Sequence, residues 1–158
     1  MVIPPGILSG LGLSPEQEFN GVDFIISIIF TAGSEEIRSF KRIKISSNPI
    51  PNNNPQLDNI LIDQSSTLAI TDGVEVDYDI TPGFEEENYT FFDQDLNLQN
   101  ATEEYLVTWF VAGGILALSR TDRTQTNTFN TDPAFPGTPF LVGVLRDNRG
   151  GQSILIRQ

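Results

Sequence analysis

An all-β antiparallel sandwich is the architecture this sequence predicts, and three observations carry the expectation. Residues 105–114 (Tyr-Leu-Val-Thr-Trp-Phe-Val-Ala-Gly-Gly) form an extended apolar run around the only tryptophan. Tyr105, Val107, Trp109 and Val111 fall on one face of a strand and Leu106, Thr108, Phe110 and Ala112 on the other, so both faces are expected to be buried. Residues 74–81 alternate cleanly, with Val74, Val76, Tyr78 and Ile80 on one face and Glu75, Asp77, Asp79 and Thr81 on the other, as in a strand packed on one side and wet on the other. Finally, no segment shows helical periodicity with caps, while turn signals bound the apolar runs at short intervals.

In chain order, residues 1–20 are rich in Pro and Gly and have no basic n-region. They do not read as a signal peptide, so an exported form would carry its signal outside this sequence. Residues 22–30 and 37–45 predict a hairpin around a turn at 31–36. Its apolar run, 24–30, is interrupted by Ser27 and is far shorter than the roughly 20 residues needed to span a bilayer; it is expected to be a buried strand. On the return strand Ile43 and Ile45 are expected inward and Lys41, Arg42 and Lys44 at exposed or edge positions. Residues 46–55 hold three prolines and four asparagines, a composition that favours an extended, semi-rigid connector. The expected organisation is therefore a β-hairpin segment at 1–48, the trailing end of a preceding module or a β-extension, then a linker at 49–55 and a sandwich at 56–158.

Within the last segment, strands are expected at 59–63, 67–71 and 74–81, an acidic turn at 82–87, a short strand at 89–92 and a polar loop at 93–104. The Trp strand, a resumption at 115–118, and an apolar hairpin formed by 140–145 and 154–156 complete the set. Between them, 119–139 reads as a long polar stretch whose apolar element is Phe129. About seven short strands with turns between them are the signature of an immunoglobulin-like sandwich.

Composition bounds the chemistry. With 158 residues, 39% apolar content and 11 Phe, the chain can build its own core. Without Cys there is no disulfide framework, thiolate zinc site or cysteine nucleophile, and without His the usual neutral-pH base and commonest transition-metal ligand are missing. The net charge of −12 is uneven: residues 45–119 contain 13 acidic side chains and neither Lys nor Arg, whereas Arg38, Lys41, Arg42 and Lys44 cluster just before. Nucleic-acid binding, which needs a basic footprint, is not expected. The acidity reads as solubility and self-repulsion.

Several motifs carry a family resemblance: Asn-Asn-Asn-Pro at 52–55, Trp-Phe-Val-Ala-Gly-Gly at 109–114, and Asp132-Pro133 and Pro136-Gly137 ahead of the run 140–151 with its Asp147-Asn148-Arg149-Gly150-Gly151 turn. These resemble the immunoglobulin-like and PKD-like modules of bacterial secreted proteins and lipoproteins. The resemblance covers 50–158, and 24–54 resembles the end of a preceding module. Two features depart from it: Phe129 stands where another aromatic residue often precedes the Asp-Pro pair, and the disulfide of antibody-type domains is absent. What the resemblance implies is an extracytoplasmic module, in the periplasm or on the bacterial cell surface, that is structural or protein-interacting rather than catalytic. A lipid anchor upstream of the chain is compatible with it.

Candidate sites are few. Trp109 could stack on a sugar, but a lone Trp in an alternating apolar strand is expected in the core. The acid pairs Asp77 and Asp79, and Glu85, Glu86 and Glu87 with Asp93 and Asp95, do not predict an enzyme. Glycoside hydrolysis needs two carboxylates flanking a cleft, and residues two apart on a strand merely share its outer face. Calcium is the sharper alternative, because Asp93, Asp95 and Asn97 offer oxygens at positions one, three and five of a loop. No Gly follows at six, and Glu104 reaches position twelve without flanking helices. No cofactor is otherwise expected; a calcium- or glycan-binding module is the alternative to a structural one. The 147–151 segment is expected to be a tight hairpin turn with an exposed Asp147–Arg149 pair contributing little. The long 119–139 stretch is the place expected for contact with a partner, a protein or surface glycan.

Overall fold

A computed structural model of the chain describes residues 6–158; residues 1–5 of the segment read for a signal lie outside the described residues. A 3-10 turn at Ser9–Leu11 precedes one helix, α1 (Pro15–Asn20), and the strands β1 (Val22–Ala32), β2 (Glu35–Ile45), β3 (Leu57–Ile62) and β4 (Val74–Ile80). Then follow β5 (Asn88–Phe92), β6 (Leu98–Thr102), β7 (Leu106–Ala112), β8 (Gly114–Leu116), β9 (Arg120–Thr121), β10 (Asn127–Thr131), β11 (Phe140–Arg146) and β12 (Gln152–Arg157). The chain is all-β with open antiparallel sheets, consistent with a β-sandwich. Their orders are β1-β2, β3-β4-β10-β8, β12-β11-β7-β9 and β5-β6. Among the described residues no helix is long and apolar enough to cross a membrane. Two compact units result, one of Met1–Asn52 with Asn88–Ala101 and one of Asn53–Glu87 with Thr102–Gln158.

In the first unit α1 exists because of its caps. The Ser14 hydroxyl accepts from the Gln17 N–H while the Gln17 side chain accepts from the Ser14 N–H, and Pro15 sits at the first helical position. At six residues the helix is too short to show an apolar stripe, which is why periodicity alone predicts no helix here. Asn20 at its end clamps β5, its side chain bonding both the N–H and the carbonyl of Phe92 at 2.7 Å. The Phe19 and Phe92 rings meet edge-on at 5.2 Å. β1 and β2 pair without a slip from Val22↔Ile45 to Ala32↔Glu35. The inward placement of Ile43 and Ile45 holds, both being half-buried. The expectation that 24–30 is a buried strand does not: Phe24 and Ile26 are half-buried but Ile25, Ile28, Ile29 and Phe30 are exposed. Both faces of a two-stranded ribbon need a neighbouring layer to be buried, and over its distal half this hairpin has none. The stretch expected as a polar loop at 93–104 contains β6, which closes a second hairpin with β5.

The second unit holds the core. Ile60, Ile62, Val76 and Phe129 from β3, β4 and β10 share one buried cluster with Val107, Trp109, Leu141 and Leu145 from β7 and β11. Trp109 is buried as expected, its ring edge-on to Tyr78 and its indole N–H donating to the Thr121 hydroxyl at 2.8 Å. The other face of the Trp strand departs from expectation, since Leu106 and Phe110 are exposed: only one side of β12-β11-β7-β9 meets the core. Residues 67–71 form a bend and irregular chain rather than a strand. The polar stretch 119–139 contains β9 and β10, with Phe129 fully buried. Gly113 (φ 82°) and Gly114 let the chain pass from β7 to β8, where a Cβ on Gly114 would lie 2.3 Å from the Asn130 carbonyl oxygen and 2.4 Å from Phe129 Cζ. No side chain fits that crossing.

Candidate functional site

The most conspicuous surface lies in the first unit, on the β1–β2 arm. Strand alternation puts Val22, Phe24, Ile26, Ile28 and Phe30 on one face with Ile45, Ile43, Lys41, Ser39 and Ile37 beside them. The other face carries Asp23, Ile25, Ser27, Ile29 and Thr31 against Lys44, Arg42, Phe40, Arg38 and Glu36. Ile25, Ile37 and Phe40 are each 67% exposed and Phe30 60%. Single exposed apolar residues are ordinary; here Ile25, Ile29 and Phe40 are exposed on one face and Phe30 and Ile37 on the other, so the arm shows apolar groups to solvent on both sides. Cations line the outer strand, where Arg38 pairs with Glu36 at 2.6 Å and Arg42 lies 3.7 Å from Asp23, all largely exposed. Chemically, the arm can offer apolar area and backbone hydrogen bonds.

The calcium candidates Asp93, Asp95 and Asn97 fall in the β5–β6 turn, also in the first unit. There the Asp93 carboxylate is a turn cap. One oxygen accepts the N–H groups of Asp95 and Asn97, both at 2.9 Å, and the other accepts from the Gln99 amide at 2.8 Å. The Asn97 N–H, with Gln99 next, holds the Asp93 carboxyl below its usual range. Among the described residues no group of three or more His, Cys, Asp or Glu side chains is placed to hold a metal ion.

A buried charge cluster lies in the second unit, at the base of the β11–β12 turn. The Glu103 side chain is fully buried and takes an ion pair from Arg149 at 3.0 Å; Arg149 also reaches Glu87 at 3.5 Å. Glu103 Oε2 accepts the Glu87 N–H at 3.2 Å, and the Glu103 N–H donates to the Glu87 carbonyl at 2.9 Å. Burial pushes the Glu103 carboxyl above its usual range, against the opposing pull of the Glu87 N–H and of Arg149. Asp147, expected to pair with Arg149 in the open, is instead buried, its oxygen accepting the N–H groups of Arg149 at 2.8 Å and Gly151 at 2.7 Å. The expected exposure of both is corrected: Asp147 caps the turn from inside, and the Arg149 guanidinium reaches the acids at 87 and 103. Sequence reading missed this cluster because its members are separated by up to 62 positions, Glu87 to Arg149. Every charge in it has a partner, which is the arrangement of a structural clamp.

The remaining depression described in the first unit, lined by Ile7, Leu8, Glu18, Ile45 and Ser47, is shallow and open. It brings together no set of reactive groups. The chain was compared with protein-family models, curated proteins and solved structures, and none of them matches.

Proposed function

We propose that this chain is a non-catalytic structural and protein-interaction module whose working surface is the β1–β2 arm. The observation that carries the reading is the exposure of large apolar side chains on both faces of the arm, Ile25, Ile29 and Phe40 on one and Phe30 and Ile37 on the other. An isolated two-stranded hairpin is marginal in water, and additional strands or a packed layer are what stabilise such a ribbon. The second unit is then a support of the immunoglobulin-like kind. Its orders β3-β4-β10 and β12-β11-β7 follow the A-B-E and G-F-C pattern of that sandwich, with the buried Trp109 on the strand that corresponds to C. It departs from the pattern in the β5–β6 hairpin between the second and third strands and in the edge strand β8 preceding β9. An extracytoplasmic setting in a bacterial surface or periplasmic protein belongs to the same reading.

The test uses an accident of composition. Lys41 and Lys44, both on β2, are the only lysines of the chain. A lysine-directed cross-linker applied to the protein at its native abundance therefore reports on the arm, the terminal amine apart. Cross-linked peptides joining Lys41 or Lys44 to any protein, itself included, are expected. Lysines that react singly with the reagent and never bridge would overturn the reading.

A further inference from the structure

Among the described residues the sheet of the arm contains only β1 and β2, which leaves it two open edges, and they differ in character. β2 carries Arg38, Lys41, Arg42 and Lys44, the charges that natural sheets place on edge strands to prevent pairing. β1 has the single charge Asp23 near its start, and no charge or proline from Phe24 to Ala32. One edge is guarded and the other is open.

We infer that β1 pairs antiparallel with β1 of a second copy of the chain, about a two-fold axis at Ser27, to form a four-stranded sheet β2-β1-β1-β2. The inference rests on the reading of the arm as an interaction surface and names its partner. Ser27 is the midpoint of the 11-residue strand, so this is the register in which all its residues are paired; every other antiparallel register leaves overhangs. It sets Phe24 opposite Phe30, Ile25 opposite Ile29, Ile26 opposite Ile28 and Asp23 opposite Thr31, with no like charges facing. Cross-strand aromatic and β-branched pairs of this kind stabilise sheets, and facing like charges destabilise them.

The rows across the whole sheet follow from the hairpin's own register. One face would carry the apolar row Ile43, Phe24, Phe30, Ile37, repeated by symmetry. The opposite face would carry Arg42, Ile25, Ile29, Arg38, with the cations at the rim and the isoleucines at the centre. By contrast, β2–β2 pairing about the strand midpoint, Phe40, sets Arg38 against Arg42 twice and offsets this only in part by Glu36 against Lys44, since each β2 carries four cations against two acids, so two net-positive strands would meet. A contact through one patch on both copies is isologous and closes at the dimer, and the mode is strand addition to an open edge.

Sedimentation analysis of the full chain up to about 100 µM is expected to show a reversible dimer. Ile25→Lys combined with Ile29→Lys places lysines opposite one another twice across the axis and is expected to weaken the dimer by about tenfold or more. Phe40→Lys, equally exposed on the same face but on the outer strand, is expected to leave it intact. Should the double variant also loosen the hairpin, engineered cysteines in this Cys-free chain keep the test decisive. Ser27→Cys sets the two Cα atoms about 4.5–5.5 Å apart, inside the limit of about 7 Å between Cα atoms that a disulfide requires, and is expected to oxidise to a covalent dimer. Phe40→Cys leaves them about 14 Å apart, three strand spacings, and is expected not to. A monomer throughout the concentration range, a Phe40→Lys effect equal to that of the double variant, or equal cross-linking at 27 and 40 would each overturn the pairing. A monomer whose Lys41 or Lys44 still bridges to another protein would overturn the self-pairing alone; absence of both would overturn the interaction reading as well.

Discussion

Single residues decide where charge is tolerated in this chain. The Glu103 carboxylate is entirely buried and held by the Arg149 guanidinium and the Glu87 N–H, so removing one partner strands a charge in the interior. Arg149→Leu is expected to cost about 3–5 kcal/mol at neutral pH, measured by chemical denaturation. The pH dependence fixes the mechanism. Burial raises the Glu103 pKa, so folding favours its protonated form. Its contribution is fully present below the ordinary glutamate range and is lost as pH rises through the raised value. Without Arg149 that value climbs further, and the gap between variant and parent should narrow as pH falls toward 4, the bottom of the ordinary glutamate range. A gap independent of pH would mean that lost packing, not the stranded charge, sets the cost. The acids in the sequence are legible as a list, but nothing in their spacing distinguishes Glu103, which is buried, from Glu104 beside it, which is exposed.

Elements form where local chemistry and packing agree, and the β3–β4 connection shows a residual disagreement. Ile62 and Ser65 exchange both backbone hydrogen bonds at 2.9 Å across Asp63 and Gln64. Both central residues are left-handed, with φ of 46° and 63°, as a tight type I′ turn demands. Holding Gln64 there costs about 1–2 kcal/mol. Replacement by Gly loses about 0.5–1 kcal/mol in chain entropy and a few tenths with the exposed bond from the Gln64 side chain to Glu75. Gln64→Gly is therefore expected to stabilise the second unit by about 0.5 kcal/mol, read from the denaturant midpoint at unchanged slope. A destabilised variant would mean that the Gln64–Glu75 bond outweighs the strain. β4, β7 and β11 were legible from apolar runs and alternation. β6 and β10 were not, because Leu98–Thr102 and Asn127–Thr131 each hold a single large apolar residue, too few to show a period. α1 was not read from the sequence: six residues are too few to reveal a stripe, although Ser14, Pro15 and Gln17 supply its caps.

At the scale of the whole molecule the excess of 21 acidic over 9 basic residues works against compaction. Most of the acids are not buried, and about 0.1 M salt screens charges beyond about 10 Å. Raising sodium chloride from about 10 to about 300 mM is expected to lift the melting midpoint of the second unit, followed by Trp109 fluorescence, by about 2–5 °C. A fall would show that ion pairs such as Arg149–Glu103 outweigh the general repulsion. By itself the sequence determined the β class, most of the strands that alternate or run apolar and the burial of Trp109, because each is written in residues close together in the chain. Tertiary structure decided which faces of those strands are covered. Apolar composition records what a strand could bury, and only the presence or absence of a neighbouring layer decides whether it does. The buried face of β7 lies against β3, β4 and β10 in the shared core, whereas the equally apolar β1 is exposed along its distal half.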